Sequence, residues 1–216
     1  MKSYVVIGLE LFGIQTALGL YEQGVEVLVI DTNEKLVNEY ANKVNRAIIA
    51  DPKDRDALKQ IGVDKYDCVI VDTTSDLATS VIVTVNLKAL GNKEIICQAQ
   101  DERDKEVLET LGATKVIIPE KIAADRLCKK LIRPNVLDYI EVSDKYGIIE
   151  GETPKSWVGK SVIELEIRAK YGVNVIAIKK GDEIEVAFNP REALKEEDVI
   201  VILGDNNSLN MVQGVQ

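Results

Sequence analysis

Val6-Ile7-Gly8-Leu9-Glu10-Leu11-Phe12-Gly13 is an apolar run that breaks at one glycine and resumes, after a second, as a helix-forming pattern. It reads as the junction of a β-strand with an α-helix. In a dinucleotide-type turn the first glycine makes the tight bend and a second lets a pyrophosphate approach the backbone. A third lets helix and strand pack closely. Gly8 and Gly13 hold the first and third places, but Glu10 holds the second. A carboxylate there adds bulk and negative charge at the helix N-terminus, where phosphate would bind. The pattern therefore specifies the fold more firmly than the ligand.

Outward from this turn, short β-branched runs alternate with helical patterns: Tyr4–Ile7, Val27–Ile30, Ala47–Ala50, Cys68–Val71, Glu94–Cys97 and Lys115–Ile118. They are apolar throughout, which suits parallel strands covered by helices on both faces. The intervening helices are expected over Gly13–Glu22, Asn33–Val44, Lys53–Gln60, Asp76–Leu90 and Glu102–Leu111, with glycines just past their ends. The expectation is an α/β protein: a Rossmann, doubly wound, parallel six-stranded sheet. A crossover helix over 120–133 ends at Arg133-Pro134, since proline disfavours helix in the residue before it, and this places a domain boundary between 134 and 135.

Residues 135–216 read as a second, smaller α/β domain. Strands are expected at Val136–Val142, Ile148–Glu150, Val173–Ile178, Ile184–Phe188 and Val199–Leu203, with a helix at Val162–Tyr171 and a short final helix. Gly159-Lys160-Ser161 lacks the glycine of a phosphate loop, since Pro154 stands five positions before Gly159. Ser161 and Glu164 form the S-x-x-E of a capping box instead. The acidic groups Glu164/Glu166 and Glu196/Glu197/Asp198 read as solvated faces and turns.

Composition narrows the chemistry. A formal net charge of −9 over 216 residues argues against nucleic acid or an anionic membrane surface as partner. No apolar run approaches the roughly 20 residues needed to cross a bilayer, and the N-terminus enters a strand without a signal-peptide pattern, so a cytosolic location without membrane insertion is expected. Histidine is absent, which removes Ser-His and Cys-His catalysis and the commonest metal ligand. Cys68, Cys97 and Cys128 are odd in number and widely spaced, which fits reduced, buried thiols.

Asp31, 23 positions after Gly8 at the end of the second strand, stands where an acidic residue bonds ribose hydroxyls. It also fits a cap on the turn Asp31-Thr32-Asn33-Glu34, but together with Gly8 and Gly13 in a βαβ frame the adenosine-ribose reading is favoured.

Taken together, V-I-G-L-x-x-F-G at 6–13, V-L-V-I-D at 27–31, D-x-V-I-V at 67–71, K-x-L-G at 88–91, Q-A-Q at 98–100, V-L-E-x-L-G-A at 107–113 and I-P-E-K at 118–121 resemble a known family. N-V-L-D-Y-I at 135–140, R-x-K-Y-G-x-N-V-I-A-I-K at 168–179 and E-x-D-V-I-V-I-L-G at 196–204 extend the resemblance over the whole chain. It is to the RCK proteins, regulators of potassium conductance in Trk/Ktr-type potassium uptake, built of TrkA-N and TrkA-C domains. The resemblance implies a cytosolic gating subunit that senses ligands without catalysis. Such subunits assemble from dimers into an octameric ring beneath an integral-membrane potassium-translocating subunit.

It further implies a nucleotide site for AMP, ADP, ATP or NAD at Gly8, Leu9, Glu10, Leu11, Phe12, Gly13, Asp31, Thr32, Asp51, Thr73, Thr74, Gln98 and Glu120. Glu120 is the carboxylate that holds a divalent cation, Mg or Ca, near the phosphates. Three residues depart from the family pattern: Glu10 for glycine, Leu11 for the usual arginine, and Gln98 for a lysine of close relatives. Each removes positive charge or phosphate access, so ATP binding is expected to be weak. In the second domain Arg168, Asn174, Ile176 and Pro190 match positions through which relatives bind cyclic di-AMP, while Ile176 and Pro190 also fit a core residue and a turn. Two other functions compete: an NAD(P)-dependent oxidoreductase, for which no histidine proton donor exists, and a stand-alone nucleotide sensor.

Overall fold

A computed structural model describes residues 2–132, 136–143 and 145–213. The chain divides into two compact units, Met1–Ile122 and Ala123–Gln216. The division falls inside the helix Pro119–Ile132, and the Arg133-Pro134 boundary read from sequence lies outside the described residues.

In the first unit β1 (Ser3–Ile7), β2 (Glu26–Asp31), β3 (Arg46–Ile49), β4 (Cys68–Val71), β5 (Ile95–Gln98) and β6 (Lys115–Ile117) form one sheet in the order β3-β2-β1-β4-β5-β6. All its pairings are parallel. The uniformly apolar strands are explained by their two faces. Val5, Ile7, Leu28, Ile30, Val69 and Val71 enter one core cluster, and the alternate residues Val6, Val27, Val29, Cys68 and Ile70 enter another. A period of two with both faces covered gives the middle of these strands to apolar side chains on both sides.

The covering helices are α1 (Leu11–Glu22), α2 (Glu34–Tyr40), α3 (Arg55–Ile61), α4 (Leu77–Leu90) and α5 (Glu102–Leu111), with α6 (Pro119–Ile132) following β6. Asn33, Asp54, Asp76 and Asp101 cap α2 to α5 by accepting hydrogen bonds from the first-turn N–H groups. Helix α2 is shorter than the expected Asn33–Val44: the chain leaves it after Tyr40, and Asn45 accepts a hydrogen bond from the Val27 N–H (2.8 Å) just before β3 begins.

The second unit carries a five-stranded antiparallel sheet. Its strands are β7 (Val136–Glu141), β8 (Tyr146–Glu152), β9 (Asn174–Lys180), β10 (Glu183–Glu185) and β11 (Val199–Asp205), in the order β10-β9-β11-β8-β7. Helix α9 (Asn206–Gln213) follows. Ile149, Trp157, Ile178, Ile200, Ile202 and Leu209 form the centre of its core. Strand β10 stops short of the expected Phe188, because Phe188 packs onto that core instead of continuing the sheet edge.

The helix expected over Val162–Tyr171 is two, α7 (Val162–Leu165) and α8 (Ile167–Tyr171), broken at Glu166 with φ 48°. Leu165 and Ile167 are both buried. In one straight helix, side chains two apart point to roughly opposite sides, and the left-handed residue between them brings both inward. Ser161 and Glu164 form the expected capping box. Asp198, by contrast, is buried, and its carboxylate accepts the Lys195 N–H (2.8 Å).

Cys68 and Cys97 are buried as expected, and burial pushes their thiols up to about 12 and about 11. Cys128 corrects that reading: it is exposed on α6. Among the described residues no helix is long and apolar enough to cross a membrane.

Gly8 and Gly24 both have positive φ, 93° and 77°, but differ in surroundings. A Cβ on Gly8 would lie 1.8 Å from the Asp72 carbonyl oxygen, while one on Gly24 meets nothing within 4 Å. Gly24→Ala is expected to cost only the left-handed strain of about 1–2 kcal/mol. Gly8→Ala adds overpacking and should cost about 3 kcal/mol or more. Urea unfolding of both variants checks this, and equal losses would contradict it.

Candidate functional site

The sheet order reverses between β1 and β4, and their carboxyl ends open a crevice at that switch point. Gly8 bends the chain out of β1 with its N–H on the Ile30 carbonyl (2.9 Å), and the Asp72 N–H donates to the Ile7 carbonyl (2.7 Å). Gly13 is needed because a Cβ there would come within 2.3 Å of the Gly8 carbonyl oxygen. The first and third glycines of the turn thus do the work that the sequence pattern requires.

Glu10 occupies the N-cap position of α1 but makes no cap hydrogen bond to it. Its carboxylate reaches across the crevice to the β4–α4 turn. There it accepts from Thr74 Oγ1 (2.8 Å), the Ser75 N–H (3.1 Å) and Ser75 Oγ (2.5 Å). Burial raises its pKa, but the bonds from Ser75 and Thr74 together outweigh this and hold it below the ordinary carboxylate value.

The missing cap comes from Asp72, whose Oδ2 accepts the Gly13 N–H in the first turn of α1 (2.5 Å). Asp72 is fully buried, and its other oxygen, Oδ1, has no hydrogen-bond partner. Burial pushes its carboxyl up to about 6. The Gly13 bond opposes this, and the charges of Glu10 and Glu120 add to it.

Asp31 caps the turn that follows β2: its Oδ1 accepts the Asn33 N–H and its Oδ2 the Leu9 N–H, both at 2.7 Å. A carboxylate has about four acceptor positions, so two remain for a ligand. Asp51 Oδ1 accepts the Lys53 N–H (2.9 Å).

These residues wall a cleft of about 360 Å³. It brings together Gly8, Leu9, Glu10, Asp31, Thr32, Asp51 and Thr73 of the expected site. The others lie around it. Leu11 is 76% exposed on α1, and Phe12 packs against the core cluster of Val6 and Val29. Gly13 sits buried behind the turn, and Thr74 bonds Glu10. Gln98 is buried at the end of β5 with its amide oxygen unpartnered, and Glu120 is exposed in the first turn of α6. Among the described residues no cluster of three or more cysteine or carboxylate side chains is placed to hold a metal ion.

Sequence reading missed Asp72, Ser75 and Asp76. The available signal for Asp72 was its position, the first polar residue after an all-apolar strand facing the Gly8 turn. The cleft carries Glu10, Asp31, Asp51, Asp72 and Asp76 against Lys53, so its field is negative.

In the second unit Arg168 is exposed on α8 and Asn174 opens β9. Ile176 lies at the irregularity where the β9–β11 register shifts, and the Pro190 carbonyl accepts the Ile163 N–H (3.2 Å).

A parallel sheet in this order, with a glycine turn and a terminal aspartate at its switch point, defines a Rossmann protein of the nucleotide-binding type with an appended antiparallel unit. The TrkA-N domain model matches residues 4–119 and the TrkA-C domain model residues 151–214, and the chain belongs to this TrkA-N/TrkA-C, or RCK, family of potassium-uptake proteins. It is 37% identical to Ktr system potassium uptake protein C of Bacillus subtilis (strain 168) over 203 residues, 94% of this chain and 92% of that one. The solved GsuK RCK domain shares its fold, with a TM-score of 0.65 at 16% identity over 99% of this chain and 47% of that one. A GsuK structure bound to ADP aligns at a TM-score of 0.50 and 25% identity, over 60% of this chain and 34% of that one.

A pH dependence follows from Asp72. Its proton is bound more readily in the folded chain than in the unfolded one. The stability it contributes is therefore fully present below the ordinary value of 3.8 and is lost as pH rises through about 6. A shift of about two units corresponds to about 3 kcal/mol at most. Asp72→Asn should remove this loss, so that urea unfolding shows the variant gaining on the wild type between pH 4 and pH 8. Parallel stability curves would sink the assignment.

Proposed function

We propose that the chain is a cytosolic, ligand-sensing regulatory subunit of a potassium-uptake system and makes or breaks no bond. It works as a dimer or a ring of up to eight copies at the inner face of the membrane, held there by an integral-membrane subunit that conducts potassium. The observation that carries this reading is the family match over both units, joined to a cleft at the Rossmann switch point. The two domains on this reading are 1–134 and 135–216.

The first domain takes an adenine ligand, with Asp31 on the ribose. The ADP-bound GsuK structure supports that class of ligand. AMP, ADP, ATP and NAD all belong to it, but the acidic wall weakens those with longer phosphate chains. A divalent cation, Mg or Ca, at Glu120 would have to draw further oxygens from the ligand itself. The second domain offers Arg168, Asn174, Ile176 and Pro190 to cyclic di-AMP, with the guanidinium on a phosphate. Gating then follows from differential affinity: a ligand preferring one conformation shifts the population toward it.

The test is rubidium uptake by a potassium-uptake-deficient bacterium expressing a Ktr-type membrane subunit with or without this chain. Uptake should rise about fivefold or more when the chain is present, the low end of ordinary allosteric coupling. Asp31→Ala should abolish the rise while the chain still co-purifies with the membrane subunit. Unchanged uptake together with failure to co-purify would overturn the reading.

A further inference from the structure

Two carboxylates, Glu10 and Asp72, line the cleft at the glycine turn. Asp72 Oδ2 accepts the Gly13 N–H in the first turn of α1, and Glu10 spans the crevice mouth to Thr74 and Ser75. A phosphate entering here meets the field of both charges and finds this N–H taken. One demand of the site is nevertheless unmet. Asp72 Oδ1, on a fully buried side chain that lines the cleft, has no hydrogen-bond partner. Such an orphaned acceptor is costly and calls for a donor. A sugar hydroxyl supplies a donor, whereas a phosphate group ionised at neutral pH supplies mainly acceptors and charge.

Resting on the adenine-ligand reading above, we propose that the cleft is a nucleoside site selective for a free 5′-hydroxyl. Glu10 and Asp72 act as a built-in substitute for the phosphates, and Asp72 Oδ1 receives the 5′-hydroxyl while Asp31 receives the ribose diol. The order of affinity therefore runs opposite to the number of phosphates.

Calorimetric titration of the full chain at pH 7.5 with adenosine, AMP, ADP and ATP tests this. Adenosine should bind about tenfold or more tightly than AMP, the size of one charge-assisted hydrogen bond, with ADP and ATP weaker still. The double variant Glu10→Gln with Asp72→Asn keeps an acceptor for the Gly13 N–H but removes both charges and turns an amide donor toward the cleft. It should bring AMP to parity with adenosine or beyond. Tighter binding of AMP, ADP or ATP than of adenosine by the wild type overturns the proposal and leaves the adenine-ligand reading intact. Binding of none of the four overturns both. An unchanged adenosine preference in a variant that keeps a cooperative thermal transition also overturns the assignment of these two residues, and if the variant does not fold the wild-type order alone decides.

Discussion

The hydrogen bond from the Gly13 N–H to Asp72 Oδ2, made across the face of Gly8, is the constraint on which the first unit's crevice depends. It ties the start of α1, the helix that follows β1, to the residue just after β4, and β1 and β4 are the neighbours between which the strand order reverses. Around it there is no slack, since the Gly8 Cα faces the Asp72 carbonyl and the Gly13 Cα faces the Gly8 carbonyl at distances no side chain tolerates. Three backbone segments meet there, which is why the turn needs its first and third glycines although the second place is taken by Glu10.

The same geometry separates the two acids electrostatically. Glu10 is stabilised as an anion by hydroxyl and backbone N–H donors of the β4–α4 turn, while Asp72, buried and with one oxygen unserved, holds its proton to a higher pH. Neighbouring carboxyls whose environments push their proton affinities apart divide their roles. Glu10 carries a steady charge near neutral pH, and Asp72 is the more easily neutralised of the pair.

Much of this was legible in the residues. Strand–helix alternation, the glycine turn and the Ser161–Glu164 box are local patterns, and local patterns survive into the structure because backbone geometry and hydrogen-bond satisfaction dictate them. What escaped were facts of tertiary context. The left-handed Glu166 arises because Leu165 and Ile167 must both reach one core, which no helical period encodes. The roles of Glu10 and Asp72 depend on a contact between positions about sixty residues apart, invisible to any window along the chain. Asp31 was open to two readings from sequence. The structure fixes its turn-capping bonds, and the acceptor capacity it retains is compatible with the other role as well.

The Glu10 bridge to Thr74 and Ser75 has a thermodynamic side. In many Rossmann proteins a guest stitches the lips of the crevice together and gives up part of its affinity to immobilise them. Here the chain makes the stitch itself during folding, so the mouth is already organised when a guest arrives. On the proposed reading, a guest would then have less backbone to order, and its affinity would come from the contacts inside the groove rather than from closure around it.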